Sequence, residues 1–421
     1  MNELPHHGSP WRALGHRDFR LFMAGRALTL CGTWMQTMAQ AWLIYRLTGS
    51  PFLLGLMETL TRTPILIFGL FGGVLADRWP RHRLMVIAQS LLLGQAALLT
   101  GLALSGHLTV AWLLGLGLLL GLISALDVPV RQAFVTDLVP RHDIPSAIGL
   151  NSSVFNATRI VGPSLAGFTV ASFGAGACFL VSTCSFLVIL ACLLAMRIAP
   201  MPPLPLLSVT RQLREGLAYV RQTPHARIML LLSGGLSVVA MPYSTLLPVF
   251  AGDVLHSGPI GLGWLMAANG VGAMGAALHH ARRHTVHGLG VSIASSVGLF
   301  GVGLVAFALS ETFWLSALAL IAIGYGMVSS LAGGNILLQM AAPEVLRGRV
   351  VSLYATLSLG TTIFGSLLGG IGATYFGAPM TILVGGGLTL AMGAWAWRGL
   401  SGEEAQGVTP PLTSSGEAAI Q

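Results

Sequence analysis

Six charged side chains interrupt long apolar stretches of this sequence: Arg26, Glu58, Arg62, Asp127, Arg131 and Arg159. A charge at the centre of a bilayer costs roughly 3 kcal/mol or more, so such residues mark ion or substrate pathways. Glu58/Arg62 and Asp127/Arg131 are each spaced i, i+4 and therefore share a helix face. Glu58 is the foremost candidate for proton coupling, because a carboxylate in a low-dielectric cavity responds to the charge beside it. Competition between a proton and a solute for one such site suffices for antiport. The same spacing also fits a static Glu58–Arg62 ion pair. Asp127 and Arg131 fall near the end of their helix and read as a gating charge network. Arg159 would draw an anionic group, pair with an acid or serve structure, and Arg26 joins it in the set expected to couple proton and substrate. Uncharged candidates for lining a cavity are Gln36, Gln40, Asn151, Asn156, Asn269, Asn335 and Gln339. Each could equally bond one helix to another. Trp34, Met35 and Trp42 would suit an apolar binding wall, although lipid contact is the commoner fate of such aromatic residues.

The elements that must position these residues follow from composition. Of 421 residues 54% are hydrophobic and only 9% are charged, against roughly 25% charged in a soluble domain. A water-soluble fold of this size is excluded. All 22 basic residues are arginines. Without lysine there is no Walker A phosphate loop and no Schiff-base chemistry. The four cysteines lie in apolar stretches and read as small buried side chains. His280, His284 and His287 have a spacing that metals use, but an interfacial loop normally keeps such residues solvated. No nucleophile–base arrangement stands out, so neither an enzyme nor a cofactor is expected.

Apolar runs long enough to cross a bilayer fall near 20–44, 52–76, 84–105, 109–130, 145–171, 175–196, 226–250, 261–280, 288–309, 312–334, 350–374 and 378–397. Twelve runs predict an all-α polytopic membrane protein. The longest connection, 198–224, opens on Pro200, Pro202, Pro203 and Pro205, then turns amphipathic around Arg211, Arg214, Glu215 and Arg221. The expected organisation is a six-helix bundle over 1–197, a cytoplasmic linker with a short surface helix over 198–224, a second bundle over 225–398, and a disordered polar tail over 399–421. With the N-terminus inside, eighteen arginines fall on cytoplasmic loops and helix ends and Arg46 alone on the outside, which puts both termini in the cytoplasm. The net charge of +8 is thus a topology signal, and no nucleic-acid partner need be invoked.

The chain also repeats. A shift of 203 residues places Pro140 on Pro343, Thr158 on Thr361, Gly162 on Gly365, Gly167 on Gly370 and Gly174 on Gly377. Two halves in the same orientation are the parallel repeat of one transporter class. In this register Asp127, Arg131 and Arg159 fall on Ser330, Gly334 and Thr362, so the charged set belongs to the first half alone.

The strongest local motif is Gly73-Val-Leu-Ala-Asp77-Arg78-Trp-Pro80-Arg81-His82-Arg83. It resembles the signature loop of the major facilitator superfamily, which usually has Gly where Pro80 stands and a basic residue at His82. Asp127-Val-Pro129-Val-Arg131, Arg159-Ile-Val-Gly162-Pro163 and Pro343-Glu344-Val-Leu-Arg347-Gly348-Arg349 are similar to the branch that includes the enterobactin exporter and related drug and macrolide efflux proteins. That resemblance implies twelve helices working by alternating access, and a multi-pass monomer in a bacterial inner membrane. It further implies efflux of a small organic molecule by proton antiport, with Gly73, Asp77, Arg78 and Arg81 as a gate latch against the eleventh helix. An importer or facilitator of a polar metabolite is the alternative, and a non-transporting membrane scaffold a third.

Overall fold

The computed structural model describes residues 11–198, 209–283 and 288–404. A backbone in hydrocarbon must satisfy its own N–H and C=O groups, and here it does so through helices. These are α1 (Arg17–Thr48), α2 (Pro51–Arg78), α3 (Arg81–Leu104), α4 (Val110–Asp137), α5 (Ile144–Phe173) and α6 (Ala175–Ala195). There follow α7 (Val209–Gln222), α8 (Pro224–Val239), α9 (Pro242–Val249), α10 (Gly258–Ala281), α11 (Leu289–Ala308), α12 (Phe313–Ala341), α13 (Glu344–Gly360), α14 (Thr362–Phe376) and α15 (Ala378–Glu404). Among the described residues there is no strand.

Ten spans are long and apolar enough to cross a membrane. Two of them are broken. α8 and α9 form one span interrupted before Pro242 and closed by a π-helical turn at Phe250–Val254, and α13 and α14 form another interrupted at Thr361. The remaining long helices, α1 and α5, pack within the same array, an arrangement consistent with twelve crossings. They fall short of the apolarity of the others because they carry Arg26 and Arg159 together with several Gln, Asn and Thr residues. Hydroxyl groups inside the spans are satisfied locally: Thr59 Oγ1, for instance, donates to the Gly55 carbonyl at 2.8 Å, the usual refuge of a threonine in a helix.

Outward-facing apolar side chains confirm the solvent these helices expect. Trp112, Phe173, Trp314, Tyr375 and Phe376 are exposed at the end carrying the Gly49–Ser50 turn, and Trp11, Trp79, Trp395 and Trp397 at the end carrying the Trp79–Pro80 turn. Two aromatic belts are the mark of the two membrane interfaces. The turns define a loop-49 end and a loop-80 end.

The repeat is visible in the backbone. Gly174 and Gly377 share φ +81°, a region that favours glycine, and each ends its helix before the next span begins. Gly121 packs its backbone against Thr61 of α2, while Gly324, 203 residues on, packs against Asn269 of α10. At the loop-80 turn Trp79 is extended (φ −111°, ψ 153°) and Pro80 has φ −56°. The residue before a proline prefers this extended state. The turn therefore accepts proline where glycine would be usual.

Some expectations are corrected. The helix α15 continues to Glu404, past the boundary placed at 398, since no proline interrupts Gly399–Glu404. The linker helix α7 docks on the second set of spans: Tyr219 donates to the Ala341 carbonyl at 3.0 Å and Glu215 pairs with Arg349. The proline-rich start of the linker, His284, His287 and the tail beyond 404 lie outside the described residues.

At the loop-80 end His16 Nε2 lies 2.8 Å from Asp143 Oδ2 and ties the start of α1 to the turn before α5. The hydrogen bond from His16 holds the Asp143 carboxyl below its ordinary value, against the opposing effect of burial and with help from His142 and Arg12. A carboxyl that titrates below its unfolded value of about 3.9 stabilises the fold above that pH and loses this as pH falls through the lower folded value. Asp143→Asn should therefore melt below the parent at neutral pH, and the gap should narrow as the pH falls below about 3.9. Thermal unfolding of both forms across this range checks it.

Candidate functional site

The six intramembrane charges do not form one cluster. At ~1.5 Å rise per residue they climb the bundle from the loop-80 end: Arg131 first, then Arg26 and Asp127, then Arg159 and Arg62 near mid-helix. Glu58 comes last, seven residues inside the loop-49 end of α2.

Asp127 on α4 is 3% exposed. It accepts a hydrogen bond from Gln89 Nε2 of α3 at 2.7 Å and pairs with Arg131 one turn along its own helix. Arg26 of α1 interacts electrostatically with both members of that pair, and its buried Nε has no hydrogen-bond partner. Two guanidinium groups thus share one carboxylate.

Glu58 and Arg62 form an ion pair on α2 with side chains 28% and 41% exposed. Nine residues are two and a half helical turns, so Ile67 lies opposite Glu58 and Phe71 opposite Arg62. Ile67 and Phe71 are exposed apolar side chains, a face suited to lipid, and Glu58 and Arg62 lie on the opposite face of α2.

Arg159 on α5 donates from Nη2 to Asn269 Oδ1 of α10 at 2.7 Å. The Asn269 amide nitrogen donates in turn to the Tyr243 hydroxyl at 2.9 Å. This chain of bonds crosses from the first repeat to the second. Among the described residues no carboxylate pairs with Arg159 or with Arg26.

The remaining candidates separate by environment. Gln36 is enclosed by α3 and α6, donating to Gln95 Oε1 at 3.2 Å and accepting from Ser182 Oγ at 2.9 Å. Gln40 is buried with its amide nitrogen unpartnered. Neither lines a cavity, because that face of α1 packs against its own bundle. Met35 and Trp42 are likewise packed inside, while Trp34 lies against Phe155 with ring centroids 6.1 Å apart. Asn151 and Asn156 are half-buried on α5, where Asn156 donates to the Ser152 carbonyl at 2.9 Å. Asn335 is half-buried and accepts from Gln339. His280 is buried against Ser329, 3.0 Å from its hydroxyl, and among the described residues no cluster suits a metal.

The signature loop does not join Asp127 and Arg131 to Asp77 and Arg78, as their places near one end suggested. Arg81 instead turns to Asp137, the last residue of α4, at 2.8 and 3.1 Å, and contacts Asp77 at 3.6 Å. Asp127 lies about 15 Å further into the helix, beyond the reach of a loop side chain. Asp77 makes no ion pair or hydrogen bond with α13 among the described residues, and Gly73 has open space beside it. His82 is anchored on the Leu193 carbonyl at 2.8 Å and stacks on Phe134. Asp137 was missed by sequence reasoning because it reads as an ordinary loop charge; its offset of ten residues from Asp127, one helix end below, was the available signal.

Contacts between the two repeats run from the loop-49 end to mid-helix. Gly167 of α5 crosses Gly263 of α10 so closely that a Cβ on Gly167 would meet the Pro259 carbonyl at 2.6 Å. Gly370 of α14 crosses Gly55 of α2 in the same manner: a Cβ on Gly370 would meet the Pro51 carbonyl at 2.8 Å. Tyr45, at the end of α1, donates to Asp253 in the π turn at 2.5 Å. Thr59 reaches the Ile363 carbonyl at 3.3 Å. The hydrogen bonds joining the repeats among the described residues stop there, so the halves are clamped at the loop-49 end.

Comparison with known proteins agrees with this geometry. A sequence model of the family described as transmembrane secretion effector matches residues 8–405. The chain is 28% identical over 382 residues to the enterobactin exporter EntS of Citrobacter koseri, covering 89% of this chain and 90% of that one. It is 24% identical over 376 residues to the staphyloferrin A transporter of Staphylococcus aureus, covering 89% and 94%. Its fold superposes on the bacterial homolog of the lysosomal transporter Spinster in its inward-facing, occupied form with TM-score 0.72 at 13% identity, covering 94% of this chain and 97% of that one. The nucleoside transporter NupG gives 0.71 at 14% identity, covering 91% and 99%.

Proposed function

The chain belongs to the transmembrane secretion effector family of major facilitator transporters, and from that premise we propose that it exports a small organic molecule, drug- or siderophore-like, in exchange for protons. It is a multi-pass membrane transporter and not an enzyme. The observation that carries the coupling reading is the Glu58–Arg62 pair, partly exposed and on the face of α2 opposite the exposed apolar Ile67 and Phe71. A proton taken up by Glu58 neutralises one partner and releases Arg62, so proton and substrate can alternate at this level. The names of the relatives, an enterobactin exporter and a staphyloferrin A transporter, support export.

The arginine distribution supports an orientation with both termini cytoplasmic. The clamped loop-49 end then faces outward and the conformer is inward-facing, ready to load from the cytoplasm. In that state the Asp77/Arg81 loop stands away from α13, as a latch for the opposite state would. The bundles 1–197 and 225–398, joined by 198–224, are the bodies that rock about the mid-membrane site, and a monomer is the working unit.

Glu58→Gln tests the coupling. A partly exposed pair contributes only up to ~1 kcal/mol to stability, so the variant should fold. In inverted vesicles, solute uptake driven by an imposed pH gradient should fall by roughly 5- to 150-fold, the usual span of a coupling energy. Transport indifferent to both the gradient and Glu58→Gln would instead establish a facilitator.

A further inference from the structure

We infer that the transported molecule is an organic anion and that Arg159 takes its acidic group. The inference rests on the transport reading above and adds the chemical class of the cargo.

Charge bookkeeping motivates it. The six intramembrane charges comprise four arginines and two acids, a formal excess of two positive charges. Glu58 and Asp127 are already committed to Arg62 and Arg131. Arg26 has only a share in Asp127, and Arg159 is left without a carboxylate among the described residues. An unpaired guanidinium is costly inside a membrane protein, and arginine, unlike lysine, does not escape the cost by losing its proton. A ligand of opposite charge is the compensation that remains.

Geometry selects Arg159 as the binding group. Among the described residues its one hydrogen bond goes to a neutral amide, Asn269 Oδ1 at 2.7 Å, and a guanidinium has five N–H donors. The Asn269 amide is itself oriented by Tyr243 at 2.9 Å and by the Leu320 carbonyl at 3.5 Å. This fixes the guanidinium where the two repeats meet, with donors to spare. A planar fork of N–H groups matches a carboxylate or phosphate in bidentate fashion. Arg26 lies nearer the loop-80 end, about nine residues into α1, whereas Arg159 is fifteen residues into α5. With one carboxylate shared between Arg26 and Arg131, an anion entering there meets this net positive pair first and then Arg159. Because Asn269 belongs to the other repeat, rocking of the halves changes what Arg159 can hold.

The test uses the full chain, purified and also reconstituted in liposomes. Salicylate, citrate and phenyl phosphate are compared with the neutral salicylamide and trimethyl citrate, first by thermal protection and then by gradient-driven uptake. At least one acid should protect while its neutral counterpart does not. Arg159→Gln should weaken that protection roughly tenfold or more, the weight of a charge-assisted hydrogen bond. Arg159→Lys should recover it only in part, since an ammonium lacks the fork. The melting temperatures of the ligand-free variants report on folding. Equal protection by neutral forms, undiminished binding in Arg159→Gln, or no protection by any compound with folded protein overturns the inference. Arg159-dependent binding without gradient-driven movement would leave the anion site standing and remove the transport reading. Movement of neutral compounds that ignores Arg159 would do the reverse.

Discussion

Asp127→Ala is expected to be the most destabilising single substitution among the membrane charges. The carboxylate is buried, holds Gln89 at 2.7 Å, pairs with Arg131 and faces Arg26. Its removal leaves two guanidinium groups facing each other without a counter-charge. Breaking a buried pair in this way costs ~3–5 kcal/mol, whereas a partly exposed pair such as Glu58–Arg62 contributes nearer the ~1 kcal/mol of a solvated pair. Against a total stability of ~5–15 kcal/mol, the first loss is crippling and the second is tolerable. Thermal unfolding of the detergent-solubilised chain should therefore rank Asp127→Ala far below Glu58→Gln. A second substitution that removes the excess charge, Arg26→Met, should recover part of the loss in the Asp127→Ala background while destabilising little by itself. Strict additivity of the two would show that Asp127 does not compensate Arg26.

Much of this architecture is legible in the sequence because scarcity makes charge informative. The 203-residue register anticipates details of the backbone: Gly174 and Gly377 adopt the same φ, and Gly121 and Gly324 pack on the corresponding helices α2 and α10. The i, i+4 spacing of Glu58/Arg62 and Asp127/Arg131 also anticipates two ion pairs. What escapes is which neighbour a helix face meets. Gln36 has the polarity of a lining residue, yet it is enclosed by Gln95 and Ser182, since periodicity gives a face and not the element opposite it. Asp137 and Asp253 look like loop charges until Arg81 and Tyr45 are seen to reach them. The break in the eighth and ninth helices is announced by Pro242, but the break at Thr361 follows only a glycine, too weak a signal to separate from ordinary packing.

Gly167→Leu is expected to abolish transport while leaving the chain folded. The crossing with α10 admits no Cβ at this position: the Pro259 carbonyl would lie at 2.6 Å and Gly263 Cα at 3.2 Å. Both obstacles are backbone, so no side chain can turn aside. Overpacking of this kind costs ~1–3 kcal/mol, and the cost falls only on the conformer in which the loop-49 end is clamped. The equilibrium should therefore move toward the opposite state by roughly 5- to 150-fold. Gly370→Leu should act alike from the other side of the bundle, where its Cβ would meet the Pro51 carbonyl at 2.8 Å. The two crossings use separate helix pairs, so their effects on one conformational equilibrium should multiply. Spin labels at Leu47 and His256, exposed on either side of the Tyr45–Asp253 contact, report the opening directly as a longer distance. A purely local packing defect predicts something different: a lower melting temperature with the distance distribution unchanged. Unaltered distances in a folded Gly167→Leu, Gly370→Leu double variant would mean that these glycines do not set the closed end, and the clamp would have to be sought in the Tyr45–Asp253 hydrogen bond instead.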